Sequence, residues 1–200
     1  MDTTRLIIVA VGGQGNLLSS KVLAEAALIE NMPVRLSEIH GMAQRGGVVE
    51  SSLVFGDADS TIISDGQADI LVGFEPSETL RAMNRCSDTT TVITNTHPLP
   101  PFTAAIGKGV YPDIDQVLRL IRENTARLYH FNAMDLAKQA GNPMTMNIVL
   151  LGALLKSGTL PFSRQSMEEA VQRKTKPAFT DMNLAAFDLG FRALETTGAV

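Results

Sequence analysis

A single cysteine, Cys86, occurs in this chain of 200 residues. That scarcity excludes an internal disulfide and any four-thiolate iron–sulfur cluster held by the chain alone. The surroundings Asn84-Arg85-Cys86-Ser87-Asp88 read as a helix end around a buried or half-buried thiol, and no recognisable base or motif accompanies it. Basic residues are few and scattered: 17 Lys and Arg against 21 Asp and Glu give a formal net charge of −4. No stripe is left for a phosphate backbone, which argues against nucleic-acid binding. Long apolar runs are missing too. The longest, Ile148 to Leu155, is interrupted by Gly152 and falls far short of the ~20 residues needed to span a bilayer. At the N-terminus a strand-like run begins at once, without basic region, apolar segment and cleavage site in order; no membrane association and a cytoplasmic location are therefore expected. No Gly-Lys-Ser/Thr follows Gly15 at the offset of an ATP-binding phosphate loop. No acid pair or Ser-His-Asp order stands out, and His40, His97 and His130 lack a second ligand at i+2 to i+4, which argues against a metal site.

What remains is the material of one α/β domain spanning residues 1–200. Four runs are short, rich in Val and Ile and bounded by turn residues: Leu6–Val11, Val34–Ile39, Ile70–Phe74 and Thr91–Thr94. They read as buried parallel strands of a Rossmann-like, mostly parallel sheet flanked by helices. Between the first two, Leu17, Leu18, Val22, Leu23, Ala26 and Ile29 mark one face of a helix over Asn16 to Asn31. Val48–Phe55 ends in Gly56-Asp57 and signals a hairpin or strand pair leading towards Thr61–Ser64. Pro76 sits at a helix start after Glu75, where its missing N–H costs nothing. Three prolines in Thr96–Phe102 impose a stiff, extended arm. Tyr129–Asn132 reads as a further strand and Ala133–Ala140 as a helix stopped by Gly141-Asn-Pro143. A helical C-terminal part follows, with segments over about Thr145 to Lys156, Ser163 to Lys174 and Thr180 to Leu194. The first of these is apolar nearly all round, which assigns it to the core or an interface. The last two carry hydroxyl N-cap candidates. Met42, Met144, Met146 and Met182 are expected to fill core or interface.

Two glycine-dense turns carry the functional signal. In Val11-Gly12-Gly13-Gln14-Gly15-Asn16 a strand gives way to a helix whose unpaired N–H groups favour an anion. Ala10, Gly12 and Gly15 occupy the three positions of a dinucleotide fingerprint, and Glu38 stands about where a ribose-binding acid would be, so NAD binding is one reading. Gln14 argues against it by placing a bulky amide in the tight turn. The plainer reading is that these glycines only permit close helix–sheet packing. After the second strand, Glu38, His40, Gln44 and Arg45 are interleaved with Gly41, Gly46 and Gly47. Arg45 offers a fixed fork of donors for a carboxylate or phosphate, His40 titrates near neutrality, and Gln44 both donates and accepts. A solvated surface loop, with Arg45 paired to Glu38, fits the same residues. Glu75, after the strand Ile70–Phe74, caps a helix or lines the same crevice rim as the two turns.

These segments resemble one family: Val11-Gly-Gly-Gln-Gly15, Leu23-Ala-Glu-Ala-Ala27, Ser37-Glu-Ile-His-Gly-Met-Ala-Gln-Arg-Gly-Gly47, Ala68-Asp-Ile-Leu-Val-Gly-Phe-Glu-Pro76 and Thr94-Asn-Thr96 are similar to the gamma-type domain of 2-oxoacid:ferredoxin oxidoreductases. The second glycine turn is more particular to the small subunit of the indolepyruvate type. The likeness runs through Tyr111-Pro112 and Gly141-Asn-Pro143 into the helical end, nearly the whole chain. It implies oxidative decarboxylation of an arylpyruvate with coenzyme A and ferredoxin, by a large (alpha) partner subunit that carries thiamine diphosphate, magnesium and 4Fe-4S clusters. The Gly-Asp-Gly…Asn signature for thiamine magnesium is absent here, which the family assigns to that partner. On this resemblance the chain holds no cofactor or catalytic residue by itself and is inactive alone, with a homodimer as an option for the isolated chain. Gly12, Gly13, Gln14, Gly15, Asn16, Glu38, His40, Gly41, Gln44, Arg45, Gly46, Gly47 and Glu75 are then expected to face substrate, coenzyme A or the partner's active site. A stand-alone nucleotide or acyl-coenzyme A binding module and an autonomous NAD-dependent enzyme are the alternatives.

Overall fold

Along the first strand, β1 (Thr4–Val11), Leu6, Ile8 and Ala10 alternate with Ile7 and Val9, and all five are buried. A strand whose two faces are both apolar must be covered on both sides. A computed structural model, describing residues 3–41, 47–100 and 109–196, shows how. Leu6, Ile8 and Ala10 join one apolar cluster, while Ile7 and Val9 join another on the opposite side of the sheet. Its six strands are β1, β2 (Val34–His40), β3 (Val48–Phe55), β4 (Ile70–Gly73), β5 (Thr91–Asn95) and β6 (Arg127–Phe131), in the order β2-β3-β1-β4-β5-β6. The strands β1, β4, β5 and β6 pair in parallel. By contrast β3 lies antiparallel between β1 and β2.

That placement corrects two expectations. Val48–Phe55 does not pair with Thr61–Ser64, which holds no strand; it pairs along its whole length with β1 on one side and β2 on the other. Nor is Val34–Ile39 a buried parallel strand: β2 is a half-exposed edge, bonded antiparallel to β3. The expected α/β, mostly parallel architecture stands, since β3 alone runs against the rest. Strand and helix ends move by a few residues, as in β6, which takes in Arg127 and Leu128 and stops before Asn132.

Among the described residues there are seven α-helices. The larger cluster lies under α1 (Asn16–Ile29), α4 (Ala133–Gln139), α5 (Met146–Lys156), α6 (Arg164–Lys174) and α7 (Thr180–Thr196). On the other face the sheet is covered by α2 (Pro76–Arg81), its 3-10 continuation Ala82–Arg85, and α3 (Ile114–Glu123). Helix α3 went unread in the sequence, although Asp113 accepts from the Gln116 N–H as its N-cap and Val117, Leu118 and Ile121 form its buried side. Ten of the eleven residues of α5 are buried, so the apolar helix is core. It meets α7 backbone to backbone, because a Cβ at Gly152 would overlap the Phe187 carbonyl and one at Gly190 the Val149 carbonyl. None of the described helices is long and apolar enough to cross a membrane.

Candidate functional site

Strand order reverses between β1 and β4: the chain leaves β1 through α1 to the β2 side, then returns to build β4, β5 and β6 on the other side. A crevice forms beyond strand ends at such a point. Here its wall is the Gly12–Gly15 turn. Gly13 and Gly15 take left-handed backbone (φ 101° and 86°), which glycine adopts without the steric penalty of a Cβ. Gln14 closes the turn on itself: its Oε1 accepts from the Val11 N–H at 2.8 Å and its Nε2 donates to the Phe74 carbonyl at 3.3 Å. The bulky amide therefore fastens the end of β1 to the end of β4.

Gly47, at the end of the second glycine-dense stretch, sits beside the first turn. Gly12 N–H donates to the Gly47 carbonyl at 2.9 Å, and Gly41 N–H to the Val48 carbonyl at 2.8 Å. Gln44, Arg45 and Gly46, with Met42, lie outside the described residues. Glu38 and His40 are on β2: Glu38 accepts from the Ser51 hydroxyl at 3.1 Å, and His40 Nε2 lies 3.6 Å from the Glu38 carboxylate. With β3 between them, β2 is two strand spacings from β1, roughly 9–10 Å. A ribose-binding acid belongs on the strand next to β1, so Glu38 is misplaced for a dinucleotide fingerprint.

Helix α1 opens without a side-chain cap and without an acidic first-turn residue, which leaves its positive end available. Two carboxamides crowd it. Asn16 donates to the Val49 carbonyl at 3.3 Å, and Asn147 of α5 to the Gly15 carbonyl at 3.2 Å. The Oδ1 atoms of both are buried and, among the described residues, without a partner. Buried acceptors of this kind call for a water or a donor-bearing ligand group.

Glu75 is wholly buried. It is the N-cap of α2: Oε2 accepts from the Glu78 N–H at 3.0 Å and the Ser77 hydroxyl at 2.6 Å. Oε1 accepts from the Leu99 N–H at 3.2 Å and from the Tyr111 hydroxyl. Both expectations for Glu75 meet here: it caps a helix and stands at the rim, but its charge is spent inside the chain. Burial, followed by that hydrogen bond, pushes the Tyr111 phenol far above its ordinary value. Close by, burial also raises the Glu78 carboxyl.

Asn95, at the end of β5, went unnoticed in the sequence as a functional residue. Its Nδ2 donates to the carbonyls of Phe74 (3.0 Å) and His97 (3.3 Å), and its Oδ1 accepts from the N–H groups of His97 (3.1 Å) and Ala133 (3.0 Å). Fully buried, it ties β4, β5 and α4 together beneath the crevice. A strand-end Asn carries no local signal for this; only the topology brings its partners together. Above it a half-open pocket of about 160 Å³ lies between the Gly13-Gln14 backbone and the methionines Met134, Met144 and Met146.

Cys86 is elsewhere, half-buried at the end of the 3-10 helix that follows α2. Burial pushes its thiol up to about 11, the mark of a packed rather than a reactive sulfur. Among the described residues no group of three or more His, Cys, Asp or Glu is placed to hold a metal ion.

Comparison with known proteins follows the same outline. The family model described as pyruvate ferredoxin/flavodoxin oxidoreductase matches residues 5–193. The protein named indolepyruvate oxidoreductase subunit IorB from Pyrococcus horikoshii is 37% identical over 195 residues, 96% of each chain. Its namesake from Archaeoglobus fulgidus is 36% identical over 186 residues, 93% of this chain and 92% of that one. Among solved structures, the gamma subunit of a keto/oxoacid ferredoxin oxidoreductase from Geobacter sulfurreducens shares the fold with a TM-score of 0.71 at 23% identity, covering 97% of this chain and 99% of that one. The 2-oxoglutarate:ferredoxin oxidoreductase from Magnetococcus marinus, solved with 2-oxoglutarate, coenzyme A and succinyl-CoA bound, contains the same fold in 32% of its length, at a TM-score of 0.76 and 18% identity.

Proposed function

The chain belongs to the pyruvate ferredoxin/flavodoxin oxidoreductase family, as a small subunit of an oxoacid:ferredoxin oxidoreductase, and from that premise we propose that it serves the arylpyruvate (indolepyruvate) reaction. Residues 1–200 act as one domain in the cytoplasm, docked on a large subunit that carries thiamine diphosphate, magnesium and 4Fe-4S clusters. The observation that carries this reading is the likeness to indolepyruvate oxidoreductase B subunits over nearly the whole length. Geometry supports it, since the Gly12–Gly47 hydrogen bond sets the two glycine turns at one rim.

Thiamine diphosphate supplies carbanion stabilisation and the clusters accept electrons when bound. With one thiol, half-buried, this chain does not fit a cluster, and no step is assigned to its residues through one. Its own part is to bind and orient. The uncapped start of α1, with Gly12, Gly13, Gly15 and Asn16, offers N–H groups to a carboxylate or to coenzyme A phosphates. Arg45, which lies outside the described residues, is the proposed anion anchor, able to form a bidentate pair. Gln14 and Glu75 hold the rim, and Glu38, His40, Gly41 and Gly47, with Gln44 and Gly46 from outside the described residues, are proposed to face the partner.

Co-expression with the large subunit and an assay of arylpyruvate-dependent dye reduction test this. Activity is expected only with both chains present, and Arg45→Ala should raise the KM for coenzyme A or for arylpyruvate by about tenfold or more, the loss of one charge-assisted pair. Turnover by this chain unaided, or unchanged constants for both substrates, overturns the reading.

A further inference from the structure

The pocket above Asn95 is chemically unlike the rest of the rim. Among the described residues no Asp, Glu, Lys or Arg lines it, which suits an uncharged group better than the charged end of a 2-oxoacid. Met134, Met144 and Met146 line it, and Leu99 and Pro143 add further apolar surface. Methionine sulfur is polarizable and packs well against aromatic rings. The volume, about 160 Å³, is close to the ~150 Å³ of an apolar cavity that accepts benzene. One ring fills it, and the open mouth leaves room for a fused second ring.

The pocket is also preformed. Met146 is buried, with its Sδ 3.3 Å from Asn95 Nδ2. Met144 is fixed by its backbone: its N–H donates to Asn142 Oδ1 at 2.9 Å, in the turn set by Pro143. Yet Met144 is 71% exposed, and Leu99, which also lines the pocket, is 44% exposed. Held apolar groups left open at a concave site, with His97 beside them, are the usual form of a small-molecule pocket.

We propose that this pocket receives the aryl side chain of the 2-oxoacid and that Met144 is a specificity-determining residue. The inference rests on the arylpyruvate reading above and deepens it: the small subunit selects the ring, and the substrate carboxylate points out of the pocket.

Met144→Lys in the co-expressed two-subunit enzyme places an ammonium at the mouth. The kcat/KM for indolepyruvate should fall about tenfold or more, while that for pyruvate and the KM for coenzyme A stay within about twofold; Met144→Leu, which keeps an apolar side chain there, should recover most of the indolepyruvate kcat/KM that Met144→Lys loses. Equal losses on both oxoacids, no loss on indolepyruvate, or a raised KM for coenzyme A with aryl preference intact overturns the proposal, the last by giving the pocket to the adenine ring. A second measurement separates this from the parent reading. The chain has no tryptophan, so the fluorescence anisotropy of indole-3-acetate titrated with the isolated full chain reports binding directly. A rise that Met144→Lys abolishes supports the pocket even if the complex oxidises no arylpyruvate, in which case only the parent reading fails. No rise with the wild-type chain overturns the pocket whatever the enzyme turns over.

Discussion

Replacing Glu75 by alanine removes a side chain that joins α2, the proline-rich arm and Tyr111. Four donors lose a carboxylate: the Glu78 and Leu99 N–H groups and the Ser77 and Tyr111 hydroxyls. Loss of the N-cap alone costs about 1 kcal/mol. Hydrogen bonds to a charged acceptor contribute roughly 1.5–3 kcal/mol each, but Leu99 is exposed and Tyr111 only partly buried, and water can reach them once the carboxylate is gone. Removing a wholly buried carboxylate also returns part of its desolvation cost, several kcal/mol per ion. The balance is a loss of about 2–4 kcal/mol. At roughly 2–4 °C per kcal/mol for a chain of this size, Tm should fall by about 5–15 °C. Circular dichroism melting at neutral pH measures it. Alkaline titration of ultraviolet absorbance gives an independent reading, because there are two tyrosines and Tyr111 is held far above its ordinary value. In Glu75→Ala its step should fall part of the way towards the ordinary value of about 10, since burial, the larger cause, remains. The sign follows: a raised phenol contributes its stability in full below about pH 10 and loses it as pH climbs towards the folded value. The gap between wild type and variant should therefore narrow in alkali. A Tm change under about 2 °C, with an unmoved Tyr111 step, refutes the assignment of Glu75 as the node of the rim.

Gly15→Ala forces a methyl into a left-handed position, about 1–2 kcal/mol, and puts a Cβ 2.7 Å from Asn147 Nδ2, so urea unfolding should show a loss of about 2–4 kcal/mol. Adding Asn147→Ala should restore part of it; equal losses in single and double variants would show that Asn147 is not the obstacle. The Cys86 thiol, raised by burial to about 11, should react with iodoacetamide near neutral pH roughly a hundredfold more slowly than a free thiol, the rate climbing with pH through the alkaline range. Reaction as fast as glutathione's would contradict its packing.

Much of this molecule was readable residue by residue. Apolar runs between turn residues located β1, β4 and β5, and the hydroxyl of Ser163 located the start of α6, where it accepts from the Ser166 N–H. The two glycine turns were legible because glycine clusters after a strand have few other uses. Strand pairing was not. Nothing in Val48–Phe55 states that its neighbours are β1 and β2, since an antiparallel partner is chosen by the packing of the whole sheet rather than by local residues. The same limit hid Asn95, whose partners lie on three separate elements, and gave Gln14 the look of an obstruction when its amide is what closes the turn. Helix α3 is a different case, for its cap, Asp113, and its apolar face, Val117, Leu118 and Ile121, are both present in the local sequence.

The bare meeting of α5 with α7 at Gly152 and Gly190 has a mechanical corollary. Val149, the residue that touches Gly190, is one turn along α5 from Met146, about 4.5 Å. Any side chain grafted at Gly190 would act as a wedge, prising the two cylinders apart and tilting the methionine end with them. On the proposed role of the pocket, two glycines outside its lining thus set how deep a ring can sink, and a lineage could retune the size of what it accepts without altering a lining residue.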